Sequence, residues 1–290
     1  MKPAPFHYHA PETLDAAVDL LAGLDDAKVL AGGQSLVPLL NMRLAIAEDL
    51  VDLRRLGELA GIRREGDSVW IGASTTQAVI ERDPTVAGAA PLLARALPFV
   101  GHVQIRNRGT IGGSLAHADP AAELPAVALT LDATIEARSS RGLRTIGAEE
   151  FFTGVFSTAL ADDEVLTAVR FPVWDGRCGY AVEEVARRHG DFAIAGACVA
   201  VRLADDDTVR TCAIGMLGLG SRPARAAAAE VAATGASAST VDAAELGRQA
   251  VADLTTIPSD LNGSAEYRAR IGATFVARAW ARAVEDARNG

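Results

Sequence analysis

The chain has 290 residues, is 49% hydrophobic and 22% charged, and carries a formal net charge of −9 at pH 7. That length sets about two domains, and the acidic balance excludes a nucleic-acid partner, which needs a clustered basic face. Lysine occurs only at Lys2 and Lys28, so no Gly-Lys-Ser/Thr triplet exists and a P-loop is excluded, whereas a phosphate held by backbone N–H groups stays open.

In chain order, "APETLDAAVDLLAGL" has apolar residues at helical spacing, with Thr13 as N-cap and Asp15 in the first turn. "AKVLAGG" is a short strand ending in a glycine pair, "SLVPLLNMRLA" starts a helix that tolerates Pro38 in its first turn, and "DLVDLRRL" is a further strand. Residues 1–56 therefore read as a β-α-β unit with a glycine loop at the strand-to-helix turn. "DSVWIGASTT" is a strand, "STTQAVIERDP" a helix capped by Ser74 or Thr75, and "PLLARALPFVG" a second helix. "ELPAVALTLDA" fits helix or strand. "ATIEARS", "LRTIGAEEFF" and "EVLTAVRFP" are strands, antiparallel because their connections are short. The segment Pro172–Gly179 is the expected boundary. Beyond it "GYAVEEVARR", "FAIAGACVAVRLADDD" and "VRTCAIGMLGLG" are three long strands, the last two joined by a hairpin turn at "ADDDT". The Ala-rich remainder is helical and ends in "AEYRARIGATFVARAWARAVEDA", with apolar residues at i, i+3, i+4.

Cys178, Cys198 and Cys212 form no C-x-x-C pair, so the chain cannot hold a zinc knuckle or a cluster on local thiolates; no metal ligand set is expected. The N-terminus lacks an apolar signal core and no apolar run reaches membrane-span length. A cytoplasmic protein without a transmembrane segment is expected, with association with the inner face of the membrane through a complex left open.

Two loops carry the chemistry. "VLAGGQSLVP" (Val29–Pro38) and "RGTIGGSLAHADPAAELP" (Arg108–Pro125) each place a hydroxyl residue within two positions of a glycine pair. Glycine admits close backbone approach, successive N–H groups converge on an anion, and Ser35, Thr110 and Ser114 add hydroxyl donors. One loop would hold a phosphate; two could hold both phosphates of a dinucleotide from opposite sides. Either loop alone also fits a plain turn. "GMLGLGSRP" (Gly215–Pro223) is no dinucleotide fingerprint, because Arg222 and Pro223 stand where another residue and the third glycine belong. His102, His117 and His189 have no partner that would make any of them a base, and no catalytic residue is assigned.

"AGGQS" and "TIGGS", together with "QIRNRGTIGGSLAHADPAAELP", "DEVLTAVRFP" and "ARRHGDFAIAGACVAV", resemble in order the blocks of the flavin-binding medium subunit of molybdenum hydroxylases, the family of xanthine dehydrogenase and aerobic carbon monoxide dehydrogenase. The resemblance implies an α+β fold. A two-subdomain FAD-binding domain of the PCMH/vanillyl-alcohol-oxidase-like type spans 1–175 (subdomains about 1–56 and 57–175). A C-terminal three-stranded antiparallel sheet with a helix bundle spans 176–290. It implies that Gly32, Gly33, Gln34 and Ser35, with Thr110, Gly112, Gly113 and Ser114, surround the FAD pyrophosphate, and that Leu30, Ala31, Leu36 and Ile111 also bind the cofactor. Asp119 and Glu123 would approach the ribityl and sugar hydroxyls, Leu166 would line the flavin ring, and Asp191 and Phe192 would reach it from the C-terminal domain. Plain turns at Asp119 and Asp191, and core packing of Leu166 and Phe192, are the competing readings. Three departures stand out: Glu123 where an aspartate is expected, Glu184 where relatives often carry a lysine, and Ser114 in place of a frequent asparagine.

The function implied is an FAD-binding electron-transfer subunit. The molybdenum cofactor would sit on a large partner subunit and two 2Fe–2S clusters on a small one, in a dimer of heterotrimers. A stand-alone FAD oxidoreductase of the same two-loop fold, and a non-catalytic nucleotide-binding protein, are the alternatives.

Overall fold

The computed structural model describes residues 1–290. The chain opens with β1 (His7–His9), α1 (Leu14–Gly23), β2 (Ala27–Leu30), α2 (Leu36–Met42) and β3 (Asp49–Asp52). The three strands form a parallel sheet in the order β1-β3-β2. Thr13 caps α1 through its hydroxyl, which accepts the Ala16 N–H at 3.2 Å. The apolar stripe Ala17, Val18 and Leu21 packs on Val51, Leu53, Leu56 and Leu59. Strand β1 was not expected: its side chains are polar, and pairing with β3 holds it extended. The strand expected over "DLVDLRRL" stops at Asp52, whose carboxylate accepts the Arg54 N–H and turns the chain into a 3₁₀ helix.

Next come β4 (Ile62–Glu65), β5 (Ser68–Gly72), α3 (Gln77–Arg82), α4 (Pro84–Ala89), α5 (Pro91–Ala96), α6 (Val103–Arg106), α7 (Ile111–His117) and α8 (Glu123–Thr130). They are followed by β6 (Thr134–Ser139), β7 (Gly142–Gly147), α9 (Ala148–Phe151), the two-stranded pair β8 (Phe152–Gly154) and β9 (Ser157–Thr158), and β10 (Val165–Pro172). Strands β4-β5-β10-β6-β7 make an antiparallel sheet. Two local expectations are corrected and one open reading is resolved. The N-cap of α3 is Thr76, because Thr75 turns inward to exchange hydrogen bonds with Gly61. "LRTIGAEEFF" is a strand only to Gly147 and then a helical turn that buries Ala148 and Phe151. "ELPAVALTLDA" is the helix α8, apolar on every side because it is enclosed by both halves of the molecule.

The C-terminal part holds β11 (Arg177–Val185), β12 (Ala195–Leu203), β13 (Val209–Leu217), β14 (Ala224–Arg225), α10 (Ala227–Ala233), α11 (Ala243–Ala252) and α12 (Ala265–Asn289). Its sheet has four strands, β11-β12-β13-β14, rather than the three expected; the added strand is two residues long, too short for a pattern to register. Strand β12 begins at Ala195, so Phe192 lies before it. One sheet face packs on α10, α11 and α12. The other packs on α5 and α8, where α8 lies so close to β13 that a Cβ on Gly215 would fall 2.0 Å from Thr130 Oγ1.

Candidate functional site

The first glycine loop leaves β2 at Leu30 and enters α2 at Leu36. The backbone N–H groups of Ala31, Gly32, Gly33, Gln34, Ser35 and Leu36 donate to no acceptor in the protein. All six residues are half-buried. A run of donors left free at such a place is unusual, because partly buried backbone groups ordinarily find partners. Gly33 supplies the reason for the geometry: its φ of +73° turns the chain in a way that a side chain would resist.

The second loop is built differently. The Ile111 N–H donates to Thr75 O at 3.1 Å, and the Gly112 N–H donates to Ala73 O at 2.9 Å. The Gly113 N–H is capped by Thr110 Oγ1 at 3.0 Å, and the Ser114 N–H donates to Thr110 O at 3.1 Å. The backbone donors from Ile111 to Ser114 are therefore spent, contrary to the expectation that both loops present a run of amides. The Ser114 hydroxyl, the Thr110 N–H and close approach are what it offers. Gly112 is a packing residue: a Cβ there would lie 2.5 Å from Ala73 Cβ.

The two loops touch backbone to backbone. A Cβ on Gly32 would fall 2.2 Å from Arg108 O and 2.8 Å from Gly109 Cα, and one on Gly113 would lie 3.3 Å from Ala31 Cβ. Each glycine pair thus makes room for the other loop. Beside this junction is a cavity of about 430 Å³ lined by Leu30 to Gln34, Val37, Pro38, Tyr8, Asp52, Arg54 and Arg108. Asp52 is buried; its carboxylate accepts the Tyr8 hydroxyl at 2.7 Å and the Arg54 N–H at 2.9 Å. Sequence reasoning missed Tyr8, Asp52, Arg54 and Arg108. The signal for Arg108 was its place at the mouth of the second loop. The other three need the β1–β3 pairing, which no sequence pattern announced.

The remaining expected residues lie outside the lining of this cavity. Asp119 accepts the Ala121 N–H at 2.9 Å and so starts a turn. Glu123 opens α8, is only 6% exposed, and burial pushes its carboxyl up to about 7. Leu166 is in the core of β10, next to Thr167, whose carbonyl accepts the Ala73 N–H and so ties that strand to the second loop. Asp191 and Phe192 sit exposed in the β11–β12 connection, Phe192 at 63%. That connection leans on the start of α6: Gly190, at φ +86°, has His102 where a Cβ would be, and the His102 and His189 rings are 5.7 Å apart. His117 stacks on Phe156 at 4.9 Å, and burial lowers its basicity. No group of three or more His, Cys, Asp or Glu side chains is arranged to hold a metal ion.

Residues 4–174 match the family model described as the FAD binding domain in molybdopterin dehydrogenase, and residues 180–283 match that of the CO dehydrogenase flavoprotein C-terminal domain. The chain belongs to the FAD-binding medium subunits of molybdenum hydroxylases. Among these it is 42% identical to the 6-hydroxypseudooxynicotine dehydrogenase complex subunit alpha of Paenarthrobacter nicotinovorans, over 99% of this chain and 97% of that one. It is 37% identical to the carbon monoxide dehydrogenase medium chain of Hydrogenophaga pseudoflava, over 97% of this chain and 99% of that one. Its fold superposes on a carbon monoxide dehydrogenase structure from Hydrogenophaga pseudoflava with a TM-score of 0.94 at 37% identity, each chain covered to 99%. It superposes on quinoline 2-oxidoreductase from Pseudomonas putida 86 with a TM-score of 0.93 at 36% identity, again with 99% of each chain covered. Medium subunits of this family work within multi-subunit dehydrogenases, alongside large and small partners. No helix of the chain is long and apolar enough to cross a membrane.

Proposed function

We propose that the chain binds one FAD at the junction of its two glycine loops and passes electrons from iron–sulfur clusters on a small partner subunit to an external acceptor. The run of free N–H groups from Ala31 to Leu36, pressed against the second loop, carries this reading. It suits a diphosphate: many donors converge on two anionic groups without lysine. Leu30 to Leu36 would hold the pyrophosphate from one side, with Thr110, Ile111, Gly112, Gly113 and Ser114 closing the other. Asp119 and Glu123 would face the sugar hydroxyls, and Leu166, Asp191 and Phe192 the flavin ring. FAD supplies the redox chemistry. The chain's residues bind and orient it, and none is needed as an acid–base catalyst.

The domain limits proposed are 1–175, divided near residue 56, and 176–290. The assembly proposed is a dimer of heterotrimers in the cytoplasm, with the molybdenum cofactor on the large subunit and two 2Fe–2S clusters on the small one. The similar proteins are named for 6-hydroxypseudooxynicotine, carbon monoxide and quinoline. Such variety fits a substrate chosen by the large subunit. The test is a visible spectrum of the gently purified native protein with a gel of what accompanies it. Flavin bands, iron–sulfur absorbance and two partner chains are expected. Flavin on a solitary chain that turns over would replace this reading with a stand-alone flavoenzyme. No flavin after added FAD would leave a non-catalytic nucleotide-binding protein.

A further inference from the structure

Arg268, in the first turn of α12, is only 4% exposed. A guanidinium stays charged, so burying one requires acceptors arranged around it. Its Nη1 donates to the carbonyls of Ile194 and Gly218, the second at 3.1 Å. Its Nη2 donates to both carboxylate oxygens of Asp260, at 2.8 and 2.7 Å. Asp260 is itself fixed, accepting the Asn262 N–H at 2.7 Å and the Gly263 N–H at 3.2 Å. Ile194 stands at the entry to β12 and Gly218 just past the end of β13, side by side at one end of the sheet. Their carbonyls can converge on one nitrogen because Gly218 has no side chain: its φ is +72°, and a Cβ there would lie 2.7 Å from Ile194 O.

Both carbonyls belong to segments that run to the expected cofactor contacts. The Ile194 N–H donates to Val185 O at 2.7 Å and so closes the β11–β12 connection, which carries Asp191 and Phe192. The Gly218 N–H donates to Pro120 O at 2.8 Å, between Asp119 and the start of α8 at Glu123. We infer that Arg268 is a positioning residue for the cofactor: through these two backbone anchors one guanidinium sets the Asp191–Phe192 connection against the Asp119–Glu123 segment. The inference rests on the reading of those four residues as FAD contacts; Arg268 hydrogen-bonds none of them and acts through Ile194 and Gly218. Stability alone does not call for such a group, since apolar side chains of similar volume often replace a buried ion pair without loss. A planar fork that fixes several acceptors at once is what an alkyl chain lacks. Arg225 makes the comparison: it donates to Leu129 O at 3.0 Å and Asp132 at 2.7 Å, and so ties β14 to the other end of α8.

The test compares the full-length wild type, Arg268→Gln, Asp260→Asn and Arg225→Gln by amide hydrogen exchange of the apo chain, FAD titration, and visible circular dichroism of the bound flavin. In the apo chain, Arg268→Gln should speed exchange of the Ile194 and Gly218 N–H groups by about tenfold, while the amides of β5 keep their wild-type rates. It should bind FAD about tenfold more weakly, the equivalent of one hydrogen bond, and alter the flavin dichroism. Asp260→Asn changes a half-exposed side chain and should shift every readout the same way by less; it decides the matter if Arg268→Gln does not fold. Arg225→Gln should melt lower yet keep wild-type FAD affinity and dichroism. Wild-type exchange rates in the folded Arg268 and Asp260 variants, wild-type affinity and dichroism in them, or an equal loss of affinity in Arg225→Gln would each overturn the inference. A wild-type chain that binds no FAD would sink the flavin reading, and the apo exchange rates would still judge whether Arg268 holds the two segments.

Discussion

Replacing Gly32 with alanine tests the junction of the two loops with a single methyl group. The added Cβ would sit 2.2 Å from Arg108 O and 2.8 Å from Gly109 Cα, backbone atoms that cannot rotate aside. An ordinary contact of about 3.2 Å would require the loops to part by about 1 Å, an overpacking cost of roughly 1–3 kcal/mol in stability. Parting the loops also moves the N–H groups of Gly32 and Gly33 away from any diphosphate between them. Hydrogen bonds to a charged group contribute about 1.5–3 kcal/mol each, so losing one or two weakens FAD binding by about 100-fold. Gly23, at the end of α1, has nothing within 4 Å of its Cβ position and makes the control. The assay is titration of FAD into the apo chain, followed by flavin fluorescence, with a melting curve for each variant. Gly32→Ala should lose about two decades of affinity and melt a few degrees lower, while Gly23→Ala does neither. A folded Gly32→Ala protein with wild-type affinity would show that the close approach has nothing to do with the cofactor.

The second loop can be opened in the same way: Gly113→Val forces a branched side chain against Thr110 Oγ1 at 2.9 Å and Ala31, and the purified variant should carry no FAD by absorbance. Arg108 lines the loop cavity, and Arg108→Gln should weaken FAD binding by about fivefold at low salt, with a smaller effect at high salt, in a titration series. Glu164, buried, accepts two hydrogen bonds from Arg144 and one from the Ala161 N–H, and the Arg144 guanidinium holds its carboxyl below the usual range. Its contribution is present above the unfolded value and lost as pH falls through the lower folded value. Glu164→Gln should therefore melt about 3 °C lower near neutrality, with the difference closing in strong acid.

Most of the frame was legible because long elements leave long patterns. The strands β11, β12 and β13 and the 25-residue helix α12 follow the sequence periodicity. The glycine loops were visible as loops, but what each glycine does was not. Gly112 and Gly215 serve packing, Gly33 serves backbone conformation, and Gly32 admits the other loop, distinctions that depend on neighbours far along the chain. The second loop's amides looked available until the segment from Ala73 to Thr75 was seen to accept two of them. His7 to His9 reads as a polar tail, since a short strand held by parallel pairing buries too little to show alternation. Glu184 stood out only by resemblance, and its place opposite Gly196 required the sheet register.

The central claim, that the free N–H run and its facing loop form a diphosphate site for FAD, is tested most directly by titrating the apo chain with FAD, ADP and FMN. The expected result is one FAD per chain, competition by ADP, and far weaker binding of FMN, which lacks the diphosphate. Binding of FMN as tight as that of FAD, or no competition by ADP, would contradict it.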